Sequence, residues 1–401
     1  MLAATLSMLG DVHTAVGLFA RAESLFSRAL AIQSHGTLAS LDLANTLARR
    51  GTLLNRVSRP AEAALELRRA LAMYRRLPDT RPGEIVQVEF ELGRALLSLG
   101  RLAEAESLLR EALRSTPGDA TPLASEIAAE LGVVLFQQAR HQEASAIQRP
   151  ALEQQRRLFG RLHPSTLHTT RFLAASLRDQ GLLEESETLY REAVEISRTI
   201  YGTDHLETAA ISGGYTVLLE RRGRFAEAEE FARHAVASSV RLYGEENPST
   251  ARVQSSLGAV LLARGKHAEA ESILRRALAT LQRTSSSGDL DQGDMLNRLA
   301  HMALARKATD AEQLYRAAVA FEQTRKPDGP IFATDGYEYL GGAALAMGDR
   351  VLAERMYRRA LTLYEKQLPE GHLYRVQASD GLRRTLEETG ASLPPGTTTP
   401  R

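Results

Sequence analysis

The sequence predicts an all-α fold: a solenoid of about nine antiparallel helix pairs followed by a C-terminal capping helix. Two observations carry that prediction. The first is a period. Ala29, Ala70, Ala112, Ala151, Ala193, Ala235, Ala277, Ala318 and Ala360 occupy one point of a recurring phrase, 39 to 42 residues apart. The phrase is clearest as Gly-x-x-x-Glu-Ala/Ser-Glu-x-Leu/Ile-x-Arg-x-Ala, from Gly100 to Ala112, Gly181 to Ala193 and Gly265 to Ala277. Self-similarity at such a period marks a repeat array, in which each unit buries its apolar face only against its neighbours. The second observation is the pattern inside each period. Val253, Leu257, Val260 and Leu261 recur at steps of three and four residues, and so do Ala270, Ile273, Leu274, Ala277 and Leu278. This is helical periodicity, twice per unit.

Taken in order, the units cover about 2–36, 37–78, 82–116, 119–159, 164–202, 205–244, 247–286, 290–326 and 330–368. A capping helix over 371–389 and a disordered tail over 391–401 complete a single solenoid domain, 1–390. Between the two helices of a unit stands a glycine such as Gly265, suited to the left-handed residue that ends a helix. Ser58 and Arg306 stand where that glycine is usual. Ala270 and Ala277 let the paired helices approach, with Leu274 filling the space between them. Units then join through an aromatic-glycine turn: Phe159-Gly160, Tyr201-Gly202 and Tyr243-Gly244. Each is followed by a helix start, His163-Pro164-Ser165-Thr166, His205-Leu206-Glu207-Thr208 or Asn247-Pro248-Ser249-Thr250. A short polar side chain and proline are both expected there.

Two places read as joints where the curvature changes. One is Ser115-Thr116-Pro117-Gly118-Asp119, with Pro150 inside the following helix; the other is Ser285-Ser286-Ser287-Gly288. An interior proline removes a backbone hydrogen bond and kinks a helix.

Composition limits the function. Lysine and arginine total 50 against 49 acidic residues, a formal net charge of +1. That balance argues against nucleic acid or an anionic membrane as the main partner. There is no cysteine, which excludes disulfides, thiolate nucleophiles and cysteine metal sites. No stretch reaches the apolar length of a membrane span, and the opening residues lack a secretory leader, so a cytoplasmic location is expected. No phosphate-cradling loop, zinc motif or catalytic constellation emerges, so neither cofactor nor metal nor enzymatic activity is expected. His163, His205 and His372 share one register. They are expected to hydrogen-bond helix ends, the alternative being a metal ladder or a pH-sensing row.

Leu257-Gly258, Gly265, Ala270, Leu274 and Ala277 together resemble the tetratricopeptide repeat. The roughly 42-residue period and the aromatic-Gly-x-x-His-Pro-x-Thr loop are similar to its kinesin light chain variety, in a bacterial style. The resemblance implies a right-handed superhelix whose first helices line a concave groove. Carried onto this register, it selects Phe90, Glu91, Arg94, Glu130, Phe136, His168, Arg171, Arg178, Glu220 and Arg252 as groove residues. Arginines there would grip carboxylates while aromatic side chains offer apolar anchors. Arg171 and Arg178 are both expected to be exposed. The asparagines that hold a peptide backbone in kinesin light chains are replaced by Ser255 and Ser256, Gly213 and Gly214, or Arg171 and Phe172. Kinesin-type cargo recognition is therefore not implied.

The leading reading is a non-enzymatic scaffold that binds a protein or peptide partner. The alternative is the regulatory or sensing arm of a larger signalling protein, for example C-terminal to a Ser/Thr kinase domain. A third is self-association through the N-terminal repeat, around Leu2, Leu6 and Leu9.

Overall fold

The computed structural model describes residues 1–33, 40–116, 118, 121–284, 290–324, 336–368 and 370–387. The joint at Ser285 to Gly288, Pro117 and Asp119 of the other joint, and the tail 391–401 lie outside them. Among the described residues there are nineteen helices and no strand. The chain divides into two compact units, Met1–Leu173 and Ala174–Arg401.

Unit 1 holds α1 (Leu2–Ala15), α2 (Phe19–Gln33), α3 (Leu41–Arg56), α4 (Pro60–Tyr74), α5 (Pro82–Ser98), α6 (Leu102–Ser115), α7 (Pro122–Gln137), α8 (His141–Phe159) and the first part of α9 (Pro164–Asp179). Unit 2 holds the rest of α9, then α10 (Leu183–Tyr201), α11 (Leu206–Arg221), α12 (Phe225–Tyr243), α13 (Pro248–Ala263), α14 (His267–Thr284), α15 (Leu290–Ala305), α16 (Ala311–Thr324), α17 (Tyr337–Ala346), α18 (Arg350–Gln367) and α19 (Leu373–Glu387). Pro150 lies inside α8, which continues to Phe159. Eight of the nine anchor alanines are completely buried and Ala151 is 3 % exposed, so the recurring position is the packing centre of each pair.

In several pairs the absence of a side chain sets the separation. A Cβ placed on Gly51 would lie 2.5 Å from Leu67, one on Gly93 2.7 Å from Leu109, and one on Gly258 2.5 Å from Leu274. The second helix thus drives a leucine against the bare backbone of the first, at a distance that no β-carbon tolerates. Along the outer side, successive second helices are tied by ion pairs. The arginine or lysine after the turn reaches the preceding unit's glutamate: Arg59 to Glu23 (2.7 Å), Arg140 to Glu106 (2.8 Å), Arg224 to Glu187 (2.6 Å), Lys266 to Glu229 (2.6 Å). The glutamates of the phrase are largely shielded, so these pairs fix register between neighbours better than fully exposed ones would.

The turn inside each unit is a Schellman closure. Gly265 N–H donates to Leu262 O and Lys266 N–H to Leu261 O, both at 2.9 Å, with Gly265 at φ +72°. The same pair of bonds is made where the left-handed residue is not glycine: Ser58 (φ 58°), Ala139 (φ 60°) and Lys307 (φ 53°). The expectation for Ser58 holds. The left-handed residue of the eighth unit is Lys307 rather than Arg306, one position nearer its anchor Ala318 than Gly265 is to Ala277. Ala139 carries the same burden without having stood out in the sequence.

A β-carbon in this region costs about 1–2 kcal/mol, which glycine's greater unfolded-state freedom partly offsets. Ser58→Gly and Ala139→Gly are therefore expected to raise stability by about 0.5–1 kcal/mol each, read from urea denaturation. An unchanged or lowered midpoint would contradict the account of this turn.

Candidate functional site

The unit-joining loops show how the first helices are aimed. Thr166 Oγ1 donates to Gly160 O (2.9 Å), Thr208 Oγ1 to Gly202 O (2.8 Å) and Thr250 Oγ1 to Gly244 O (2.9 Å). Those glycines sit at φ 81°, 85° and 85°. The polar residue between them caps the new helix: His163 Nδ1 accepts from Ser165 N (3.2 Å), His205 Nδ1 from Glu207 N (3.1 Å) and Asn247 Oδ1 from Ser249 N (2.8 Å). His163 stacks on Phe159 and His205 on Tyr201, with ring centres 4.6 and 4.3 Å apart. The shared histidine register thus serves helix ends, as expected.

In unit 1, α3, α5, α7 and the start of α9 present a continuous polar line. Asn55 Nδ2 donates to the Glu91 carbonyl (2.9 Å) and to its carboxylate (2.8 Å). Arg94 lies between two acids, 3.5 Å from Glu91 and 3.4 Å from Glu130, with its guanidinium 5.8 Å from the Phe90 ring centre. His168 Nε2 stands 3.9 Å from Glu130. Burial pushes the Glu130 carboxyl up, against the pull of Arg94 and Arg171. Beyond it comes an aromatic group: Phe172 meets Phe136 at 6.0 Å and His168 at 4.8 Å, and the Arg171 guanidinium covers the Phe172 face at 4.3 Å. Stacking of this kind holds a guanidinium flat against the ring.

Above this line opens a groove of about 520 Å³, whose lining includes Asn55, Arg94, Leu97, Glu130, His168 and Phe172. Ser98 and Gln137 form part of its exposed wall. Of the ten residues singled out from sequence, Arg94, Glu130 and His168 line this groove, while Phe90, Glu91, Phe136 and Arg171 lie elsewhere in unit 1. Phe90 and Glu91 lie under the surface, 5 % exposed each, while the Arg94 side chain is 42 % exposed. Leu97, in the register of Phe136, also lines the groove, as do Ser58, Pro60, Ser98 and Gln137, at the ends of helices where the groove register does not reach.

Unit 2 treats the same register differently. Arg178 is not exposed: its side chain is 12 % accessible, paired with Asp179 at 2.9 Å and directed at Tyr190 Oη and Gly214 O, both at 3.3 Å. Arg221 joins the same knot through Asp179 (2.8 Å) and the Arg178 carbonyl (2.8 Å). The expected exposure of Arg178 is thus overturned by a bare glycine backbone and a tyrosine that enclose it. Glu220 is 2 % exposed and accepts the hydroxyl of Tyr374. Around it lie Arg298 (1 % exposed, 3.0 Å from Asp294), Tyr339 under Arg298 (4.9 Å), and Glu338 accepting from Tyr364. Arg252 is exposed. In the N-terminal helix Leu2 and Leu9 are exposed, whereas Leu6 is buried.

Tetratricopeptide repeat profiles match residues 1–76, 123–181, 166–239 and 217–283, and a second profile of the same description matches 50–120. The chain belongs to the tetratricopeptide repeat family. No curated protein matches it. Among solved structures it is similar to a Rap protein complexed with Competence and Sporulation Factor, at 12 % identity and TM-score 0.63, covering 91 % of this chain and 98 % of that one. It is likewise similar to NprR in complex with its cognate peptide NprX, at 11 % identity and TM-score 0.58, covering 90 % and 97 %. A kinesin light chain from Podosopora anserina with nearly identical TPR-like repeats matches over 51 % of this chain and 99 % of that chain, at 23 % identity and TM-score 0.43. Among the described residues no helix is long and apolar enough to cross a membrane.

Within this tetratricopeptide array, the buried polar cluster of unit 2 makes stability depend on pH. Burial pushes the Glu338 carboxyl from 4.5 up to about 7. A raised acid favours the fold fully below its unfolded value, and the contribution is lost as pH rises through about 7. His372 moves oppositely: burial lowers it from 6.5, so its contribution is present above that value and lost on acidification. The melting temperature is therefore expected to fall between about pH 6 and pH 8, and Glu338→Gln to flatten that slope. A slope untouched by Glu338→Gln, followed by calorimetry, would contradict the assignment.

Proposed function

We propose that this chain is a non-catalytic binding scaffold and that the unit 1 groove receives an extended peptide segment of a protein partner. The observation that carries the reading is the groove of about 520 Å³ over Asn55, Arg94, Glu130, His168 and Phe172. It joins a mixed-charge floor to an aromatic wall. In this reading Arg94 takes a carboxylate of the ligand, Glu130 balances a cationic group, and Phe172 seats an apolar side chain. A pre-stacked, ion-paired wall loses little freedom on binding, so the site is suited to flexible ligands that supply the ordering cost themselves. The complex of NprR with its cognate peptide supports a peptide as the class of ligand, on the likeness of fold.

The test is selection of peptides from a random display library with the full chain as bait. Related sequences are expected to emerge, and Ser98→Trp or Gln137→Trp, which fill the exposed wall without touching the core, to weaken their binding about tenfold or more. Arg252→Glu, in unit 2, is expected to leave it unchanged. Peptides that bind equally well to the filled variants would contradict the placement.

A further inference from the structure

The last turn before α19 departs from the pattern of the other joining loops. His372 caps its helix as His163 and His205 do, accepting from Tyr374 N at Nδ1 (3.3 Å). But the aromatic residue on which those two rings stack, Phe159 or Tyr201, is replaced by Leu368. Where they are followed by Ser165 and Glu207, His372 is followed two residues on by Tyr374. Released from local stacking, the ring reaches across unit 2. His372 Nε2 lies 2.8 Å from the carbonyl of Glu220, 152 residues away in sequence, and Tyr374 Oη donates to the carboxylate of the same residue, 154 away. Both rings pack about Phe225, with centres 6.0 and 6.1 Å from it, and Tyr374 lies 6.2 Å from Tyr364. With a carbonyl as partner, Nε2 is the donor and Nδ1 the acceptor, so the imidazole is neutral and both its nitrogens are used.

The acceptor on α11 is of a kind that recurs. In two other units the carbonyl at this point of the first helix, besides closing the Schellman turn, accepts a guanidinium from the next unit: Thr14 O from Arg56 (3.3 Å) and Arg178 O from Arg221 (2.8 Å). In α11 a donor from the far end of the unit stands in that role. The end of α11 is thus a receptor with three parts: a carbonyl for an N–H, a carboxylate for a hydroxyl, and the Phe225 ring between them.

We propose that the end of α11, formed by Glu220 and Phe225, is a second docking site, for a segment that presents a histidine two residues ahead of a tyrosine. The chain's own His372–Tyr374 turn fills it in cis, and such a segment of a protein partner displaces it. The hydrogen-bond complementarity of the present occupant defines the ligand. Displacement requires only the first turn of α19 to lift, since Ala378, Leu382 and Leu386 hold the rest of the helix by apolar packing. Gly371, at φ 84°, is the hinge that precedes it. The proposal involves unit 2 alone and stands or falls independently of the unit 1 groove.

The probe is a fluorescein-labelled peptide with the sequence of residues 370–379, added to the full chain. His372→Ala with Tyr374→Ala, which empties the site, is expected to bind it at least about tenfold more tightly than the unaltered chain does. Removing the histidine and tyrosine from the peptide, or adding Glu220→Ala to the protein, is expected to abolish that gain. Equal binding to both chains, or no binding to the emptied one, overturns the proposal. If the emptied chain loses helix content, the unaltered chain carries the test by hydrogen exchange. With peptide in excess, the amides of residues 372–376 are expected to exchange about tenfold faster, and unchanged exchange overturns the proposal. The Ser98→Trp variant should respond in both assays as the unaltered chain does.

Discussion

Much of this fold rests on how closely the two helices of a pair approach, and in the pairs that carry Gly51, Gly93 and Gly258 that distance is set by glycine. At Gly51, Gly93 and Gly258 the first helix offers bare backbone, and Leu67, Leu109 and Leu274 press into it. The anchor alanine, three residues further along the second helix, is buried beside that contact. A repeat built this way has little freedom in its pair geometry, so the outward face of each first helix is fixed in direction. Gly93 lies between Phe90 and Arg94 on α5, and the contact that closes the pair therefore also aims Arg94 at the groove. Folding and recognition share one cause at this point: a missing side chain on one face positions the neighbouring side chains on the other.

The joining loops add the second constraint. A positive-φ glycine, a threonine bonded back to its carbonyl and a capping histidine or asparagine turn the chain by the same amount at Gly160, Gly202 and Gly244. At His372 the same cap is kept while the stacking aromatic is lost, and the liberated ring is used for a long-range contact to the Glu220 carbonyl. Repetition makes such an exception meaningful, because three regular copies show what the local sequence alone would produce.

Much of this was legible in the chain itself. The period of the anchor alanines marks the helix pairs, and the aromatic-Gly-x-x-His phrase marks the capped helix starts. Seven of the ten residues selected from sequence fall in unit 1, three of them on the groove lining, because neighbouring repeats, unlike distant ones, are placed by the period. Arg178 and Glu220 were not legible as buried, and the reason is physical. They share a register with Leu97 and Phe136, and their burial depends on the Tyr190 hydroxyl in one case and on a residue 154 positions away in the other. Periodicity predicts which face a residue occupies and says nothing about what returns to cover that face. Ala139 was missed for a related reason: alanine carries no signal for a left-handed conformation that the neighbouring helices impose.

The close approach itself is tested most directly by a double-mutant cycle on Gly93 and Leu109, followed by urea denaturation. A Cβ on Gly93 would lie 2.7 Å from Leu109 Cδ2 and 2.8 Å from its Cγ, and Leu109 is completely buried, so its isobutyl group can move aside only by displacing its neighbours. Gly93→Ala alone is expected to cost about 1–2 kcal/mol despite alanine's better helix propensity. In a Leu109→Ala background the same change should be neutral or stabilising, a coupling of about 1 kcal/mol or more. Additive effects, or a Gly93→Ala chain more stable than the original, would contradict the claim that glycine sets the spacing of the pairs.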